Sequence, residues 1–484
     1  MDRRLFLSGL AATLPSISLA ETRPVLRNAA NIIRAATAGT SRLDPVLAPI
    51  TGYVLRDVTN GNIIDAYQPN LALPPASVTK AITAVYARHI LGPGYKFTTR
   101  LMATGPLQNG VIEGDLYLVG GGDPALDTDE LASLAAALVN AGIRGITGKF
   151  YVDSSALPDI AQIDPAQPTY LGYNPTISGL SLNFNRVYFE WKQAANGYQL
   201  SLDARTERLR PLVRGISIST ENRGAPVFKY TNVNDHDRWS VATSALGSSG
   251  GRWLPVRHPA DYVGEVFQTL ALNAGLKLPP HHRKTAPVNA TEVVRFDSHH
   301  LDEVLRWLLK YSNNLTAECL GLTASYGAGK RPGTLHDSAS AMSRWVEQYL
   351  NVSGTEFHNH SGLTDRARVS ALQMANMLAS PISQQHLNGL LKPVALYDTS
   401  GKPFNNNGMN VFAKTGTLNF TRGLAGYLDK GQRRYSFAIF VANLDMRSNI
   451  PVAQMERPQG AKAWSNRAKR QEKSLLKHWI GLLG

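Results

Sequence analysis

Ser77 and Lys80, in Pro74-Pro75-Ala76-Ser77-Val78-Thr79-Lys80, are a hydroxyl and an amine at a spacing that could do chemistry together. The two prolines close an extended segment, because proline fixes φ and disfavours helix in the residue before it. Ser77 to Arg88 contains no internal Gly or Pro and is predicted to be helical. Three residues apart, Ser77 and Lys80 share one face of the first turn. A hydroxyl there has backbone N–H groups and the positive end of the helix dipole beside it. An amine one turn on can take its proton, so a nucleophile and a base share one tetrapeptide. On its own the tetrapeptide is weak, since a serine at a helix start is most often a plain cap. Its partners must decide.

The elements around it follow in order. Thr51 to Asp57 and Ile63 to Tyr67 flank Asn60-Gly61, a hairpin signal. After Gly92-Pro93-Gly94 the texture changes to short strands and turns. Gly120-Gly121-Gly122-Asp123-Pro124 lacks the Lys-Ser/Thr of a phosphate loop and reads as a tight strand-to-helix turn. Leu180 to Trp191 and Gly215 to Ser219 alternate as strands do, and Asp261 to Gly275 is helical in pattern. Pro279-Pro280 with His281 to Lys284 reads as a linker. Helices then return at Leu301 to Lys310, Ser338 to Leu350 and Ser370 to Leu378. The chain ends in strands at Val411 to Thr417, Leu424 to Leu428 and Tyr435 to Ala442, then a basic helix at Ala463 to Leu483.

Two further motifs stand in these elements. Ser312-x-Asn314 lies in a turn between helices, and Lys414-Thr415-Gly416 ends in a strand followed by a hairpin. With Ser77-x-x-Lys80 they resemble, in order and setting, the active-serine set of the penicillin-recognising enzymes. The long segment between the first two motifs is similar to that of the D-alanyl-D-alanine carboxypeptidase/endopeptidase family, the class C low-molecular-weight penicillin-binding proteins. Leu116 to Pro124, Gly179 to Asn183 and Ser361-Gly362-Leu363 also resemble that family's stretches, so the likeness covers nearly all of the chain after its leader. Asn313 stands where the family more often has Asp, and Thr364-Asp365 is an unusual continuation of Ser361-Gly362-Leu363.

The resemblance implies an α/β (α+β) fold. Its transpeptidase-like domain has a roughly five-stranded antiparallel sheet flanked by helices, with an α-helical subdomain. Residues 21–98 and 285–484 would form that domain, and 99–284 a large, mainly β insert dividing into two. It also implies a serine-type D-Ala-D-Ala carboxypeptidase and DD-endopeptidase, acting on peptidoglycan stem peptides and binding β-lactams covalently. Ser77 would be the nucleophile and Lys80 the base. Ser312 would relay a proton to the leaving nitrogen, and Asn314 would hold a substrate amide and orient Lys80. Lys414, Thr415, Gly416 and Thr417 would bind substrate, with Lys414 meeting its carboxylate and the N–H groups of Ser77 and Thr417 forming the oxyanion hole. Asp153 and Arg368 are candidates for the diamino-acid side chain of wall peptides; a turn Asp and a surface Arg are equally good readings. No metal or other cofactor is expected: the His281-His282, His299-His300 and His358-Asn359-His360 pairs lack a carboxylate or Cys partner set. A β-lactamase would use the same acylation parts, but no Glu-containing deacylation motif is recognisable between the second and third motifs. A catalytically silent wall- or penicillin-binding module is disfavoured because every catalytic position is filled.

Composition bounds the rest. Hydrophobic content of 43% and charged content of 18% are ordinary for a globular protein, whereas a net charge of +14 is not. From Thr421 onward twelve Lys/Arg face four Asp/Glu, a net +8, so the excess is concentrated at the C-terminus. That region is a candidate for peripheral association with an anionic wall or membrane surface; no base-stacking module accompanies it, which argues against nucleic acid. Cys319 is the only cysteine, so no intrachain disulfide forms. Met1-Asp2-Arg3-Arg4-Leu5-Phe6-Leu7, an apolar run, and Ser18-Leu19-Ala20 read as a cleavable export signal over residues 1–20, of twin-arginine or general secretory type. The expected location is the periplasm.

Overall fold

The computed structural model describes residues 43–398, 400–451 and 454–484. The export signal lies outside them. The central sheet has six strands, all antiparallel, in the order Lys392–Pro393, Met409–Leu418, Thr421–Lys430, Arg433–Ala442, Thr51–Asp57 and Ile63–Tyr67. The first and last parts of the chain therefore meet in one sheet, with Thr51 opposite Val441 and Asp57 opposite Tyr435. A two-residue edge strand, too short to be read from pattern, brings the expected five to six.

Alternation along the strands divides two cores. Tyr53, Leu55, Phe437 and Ile439 face the C-terminal helix Ala461–Leu483, which buries Leu475, Leu476, Trp479 and Ile480 against them. Val54, Ala438 and Phe440 face the other way, toward Ile82 and Val85 of helix Thr79–Leu91 and the helices around it. The C-terminal helix is thus fixed by its apolar face, while Lys462, Lys469 and Arg470 remain exposed. Among the described residues no helix is long and apolar enough to cross a membrane.

The middle of the chain builds a mixed five-stranded sheet, ordered His281–Arg283, Phe150–Asp153, Leu116–Val119, Thr98–Ala103 and Thr291–Asp297. Helices Thr128–Asn140 and Pro259–Asn273 pack on it. Two three-stranded sheets join the same apolar cluster, which runs from Leu101 and Phe150 to Phe189, Val241 and Leu254. Two readings are corrected here. His281–Arg283 is a strand rather than a linker, because it pairs in parallel with Phe150–Val152. Leu180 to Asn185 is a series of turns rather than strand, because Asn183, Phe184 and Asn185 all take positive φ; the strand begins at Arg186. A small apolar cluster fastens this unit to the rest: Leu157, Ile163 and Ile177 pack on Leu315, Cys319, Leu322 and Leu363.

Candidate active site

Ser77 does not open the long helix. It sits in a 3-10 turn, Ala76–Val78, that feeds helix Thr79–Leu91. Ala76 has a φ of 48°, a left-handed conformation that non-glycine residues rarely adopt, and such strain clusters at functional sites. The turn is held from outside. Gly362, itself at φ +72°, passes so close that a Cβ would lie 1.9 Å from the Ala76 carbonyl oxygen. From Leu73 to Ala87 every residue is buried except Ser77, so the fold exposes one hydroxyl there.

Lys80 is fully buried beneath it. Its Nζ donates to Ser77 Oγ (2.9 Å), Asn314 Oδ1 (2.8 Å) and the Ser361 carbonyl (2.6 Å). Burial first, and the Lys414 charge second, pull its amine well below the ordinary lysine range; Glu318 opposes them. A neutral Lys80 turns the 2.9 Å contact into a path for the Ser77 proton.

Ser312 ends helix Leu301–Tyr311 in the left-handed region, φ 62°, and Asn314 begins helix Asn314–Gly327. Asn313 between them caps the second helix through Oδ1 to the Thr316 N–H. An Asp would serve the same cap, which accounts for that departure from the family pattern. Lys414, on strand Met409–Leu418, donates to Ser312 Oγ at 2.8 Å, and burial brings its amine down to about 7. The three motifs therefore meet as Ser77–Lys80–Asn314 on one side and Ser312–Lys414 on the other. A Cβ at Gly416 would lie 3.1 Å from the Ser77 nitrogen, so the Lys414–Thr417 segment runs against the Ala76–Val78 turn. Arg422 bonds Thr417 Oγ1 (3.1 Å) and is itself paired with Glu472 of the C-terminal helix (2.8 Å), which braces the end of that strand.

Four participants were not read from the sequence. Glu318, fully buried, accepts the N–H groups of His360 (2.9 Å) and Ser361 (2.8 Å), and so fixes the loop whose carbonyl meets Lys80. Its signal was present: it is the only charged residue in helix Asn314–Gly327, where an isolated carboxylate demands partners. Tyr173, from the middle of the chain, accepts through its carbonyl from Asn314 Nδ2 at 2.9 Å. The Arg422–Glu472 pair gave no local signal.

Asp153 and Arg368 stand apart from this cluster. The Asp153 carboxylate accepts the Ser155 and Ala286 N–H groups (2.9 and 2.8 Å), and the Arg368 guanidinium donates to the carbonyls of Asp365 and Ala367. Among the described residues no hydrogen bond joins either to Ser77, Lys80, Ser312, Asn314 or Lys414. Buried His360 is held neutral, its pKa pushed down to about 3 by desolvation, and its Nε2 meets Ser338 Oγ at 2.8 Å.

Residues 40–459 match the D-Ala-D-Ala carboxypeptidase 3 (S13) family. The chain is similar to the D-alanyl-D-alanine carboxypeptidase DacB of Haemophilus influenzae, 23% identical over 436 residues, covering 84% of this chain and 89% of that one. It is also similar to the D-alanyl-D-alanine carboxypeptidase of Actinomadura sp. (strain R39), 26% identical over 439 residues, covering 82% and 78%. The crystal structure of penicillin binding protein 4 (dacB) from Haemophilus influenzae shares the fold, with a TM-score of 0.67 at 21% identity over 81% of this chain and 90% of that one. The same protein in complex with a β-lactam gives a TM-score of 0.65.

Proposed function

The chain belongs to the D-Ala-D-Ala carboxypeptidase 3 (S13) family, and from that premise we propose that it hydrolyses peptidoglycan stem peptides through an acyl-enzyme on Ser77. The observation that carries this is Lys80 Nζ, buried, 2.9 Å from Ser77 Oγ and 2.8 Å from Asn314 Oδ1. Neutral Lys80 takes the Ser77 proton as Oγ bonds to the scissile carbonyl carbon. The developing oxyanion is met by the N–H groups of Ser77 and Thr417, each donor contributing about 3 kcal/mol. The C–N bond breaks as the proton that Lys80 took is returned, relayed through Ser312 Oγ, to the leaving D-alanine nitrogen, while Lys414 holds Ser312 from its other side. Water then attacks the acyl ester and returns Ser77 to its starting form. Protonated Lys414 receives the substrate's terminal carboxylate; Thr415 and Gly416 present backbone along it.

The same acylation arrests the enzyme with penicillin, whose ring-opened acyl group stays on Ser77. Among the described residues, no carboxylate stands free beside it to deacylate it as a β-lactamase would. Glu318 is spent on two backbone N–H groups, one to each oxygen. A fluorescent penicillin should label the wild-type protein at one residue, and Ser77→Ala should lose that label entirely; label retained on the variant would put the nucleophile elsewhere. Mass analysis of cross-linked muropeptides incubated with the same pair of proteins reads out the DD-endopeptidase activity.

The inserted unit, residues 99–284 with the strand Thr291–Asp297 that pairs to it, provides the wall on the Asn314 side of the cleft through Tyr173. The protein acts in the periplasm, and the exposed cations Lys462, Lys469 and Arg470 give the C-terminal helix a screened attraction to anionic wall or membrane surfaces. Cell fractionation should find it in the periplasmic fraction, any envelope-bound part being released by a salt wash. Retention through high salt would rule out a purely electrostatic contact.

A further inference from the structure

Two buried arginines converge on the turn that follows the Lys414 strand. Strands Met409–Leu418 and Thr421–Lys430 are joined by Asn419 and Phe420 alone, and Phe420 takes a φ of 56°, unusual for a non-glycine residue. Thr417, one pair before the turn, is exposed. Its backbone N–H and C=O point the same way as those of Val411, because backbone direction repeats every second residue along an antiparallel strand. The Val411 carbonyl accepts from the Val394 N–H across the outer edge of the sheet (2.8 Å), so the Thr417 N–H faces that edge too. The covering strand, Lys392–Pro393, pairs only with Ala413 and Phe412, and among the described residues no strand reaches as far as Thr417.

Each guanidinium grips this turn and is itself held by a carboxylate from another part of the chain. Arg422, 8% exposed, donates through Nη1 to Thr417 Oγ1 (3.1 Å), and its Nε and Nη2 form a fork onto Glu472 of helix Ala461–Leu483 (3.1 and 2.8 Å). Arg447, also 8% exposed, donates through Nη1 to the Asn419 carbonyl (3.1 Å) and through Nε to Asp365 (2.8 Å). Asp365 lies just beyond the Ser361 carbonyl that meets Lys80, so the unusual Thr364-Asp365 continuation supplies this arginine with its partner. Stability alone does not account for such pairs. Burying a salt bridge costs about as much desolvation as its attraction returns, and apolar residues of similar volume serve a fold as well. What a buried guanidinium adds is direction, with fixed donors in one plane.

We propose that Arg422 and Arg447 are positioning residues for acylation: by fixing the turn at Asn419 and Phe420, they hold the Thr417 N–H at the place where the oxyanion forms. The proposal rests on the reading of Ser77 as the nucleophile and of the Thr417 N–H as an oxyanion donor. Arg422 acts through the Thr417 hydroxyl and Arg447 through the Asn419 carbonyl, neither of them on the substrate.

The test compares kcat/KM on a peptide ester ending in D-alanyl-D-lactate and on its thiono counterpart, in which sulfur replaces the scissile carbonyl oxygen. Sulfur is a weak acceptor, so oxyanion donors favour the oxygen ester and contribute little to the other. Arg422→Met alone strands a buried carboxylate; Arg422→Met/Glu472→Met removes both charges and should melt close to wild type. Arg447→Met is the second probe, because the Asp365 side chain it leaves behind is already 45% exposed. Each variant should lose about tenfold to a hundredfold on the oxygen ester, the effect of a donor set off by up to about 1 Å. The thiono ester should lose less, so the preference for oxygen over sulfur shrinks. Equal losses on the two esters would reduce the arginines to structural supports, and wild-type rates in the folded variants would remove them from acylation. Fluorescent penicillin separates these failures from that of the catalytic reading: if the Ser77 assignment is wrong, the wild-type protein takes no label at Ser77, whatever the ester ratio.

Discussion

Lys80→Arg is expected to slow acylation of Ser77 by roughly a thousandfold, the contribution of a positioned general base. Guanidinium stays protonated and cannot accept the Ser77 proton. Lys80 is fully buried among Ser77, Asn314 and the Ser361 carbonyl, and the larger head overpacks that space at a cost of about 1–3 kcal/mol. A thermal melt must therefore accompany the kinetics, and Lys80→Met supplies a variant with neither base nor excess bulk. Both should remain folded and fail to take up penicillin. Acylation at a wild-type rate in either would remove Lys80 from the role.

The pH profile carries the same argument in the wild-type enzyme. On the proposed mechanism acylation needs neutral Lys80, whose pKa is drawn well below the ordinary value. The rate therefore rises with pH along a limb far below that of a free lysine, near 10.4. Lys414 works in the opposite sense. It must be protonated to receive a carboxylate, and its pKa is about 7, so kcat/KM for a peptide acid should fall as pH rises through that region. A C-terminal amide, which asks for no counter-charge, should lack the falling limb. In kcat the limb should move upward, because a bound carboxylate favours protonated Lys414. A rising limb near 10, or the same falling limb for acid and amide, would contradict these assignments.

The three motifs were legible because each is local. Ser77 and Lys80 are one turn apart, Ser312 and Asn314 flank a helix junction, and Lys414 to Thr417 lie on one strand; their order and setting sufficed to bring them together. The sheet was legible because Thr51–Asp57 and Arg433–Ala442 alternate on two faces. What escaped depends on distant partners. His281–Arg283 becomes a strand only through parallel pairing with Phe150–Val152, about 130 residues earlier. Leu180 to Phe184 alternates like a strand, yet positive φ at three successive residues turns it. The fixing of the Ser361 loop by Glu318 joins residues 43 apart.

Glu318→Gln tests the support behind Lys80, and its two effects separate. The carboxylate gives one oxygen each to the His360 and Ser361 N–H groups. A carboxamide keeps one acceptor and turns an NH2 toward the other donor, leaving a buried N–H orphaned at a cost of about 1–3 kcal/mol. A lower melting temperature should result. The Ser361 carbonyl that meets Lys80 loses its anchor, and a shift of about 1 Å there is enough to slow acylation roughly a hundredfold. The pH limb answers a different question. The Glu318 charge raises the Lys80 pKa against burial and Lys414. Without that charge the ammonium form is less favoured, the Lys80 pKa falls further, and the rising limb moves to lower pH even though the maximal rate is reduced. A merely structural Glu318 would lower stability and rate and leave the limb in place. A limb that stays, or moves to higher pH, would show that Glu318 holds the loop without setting the charge of the base.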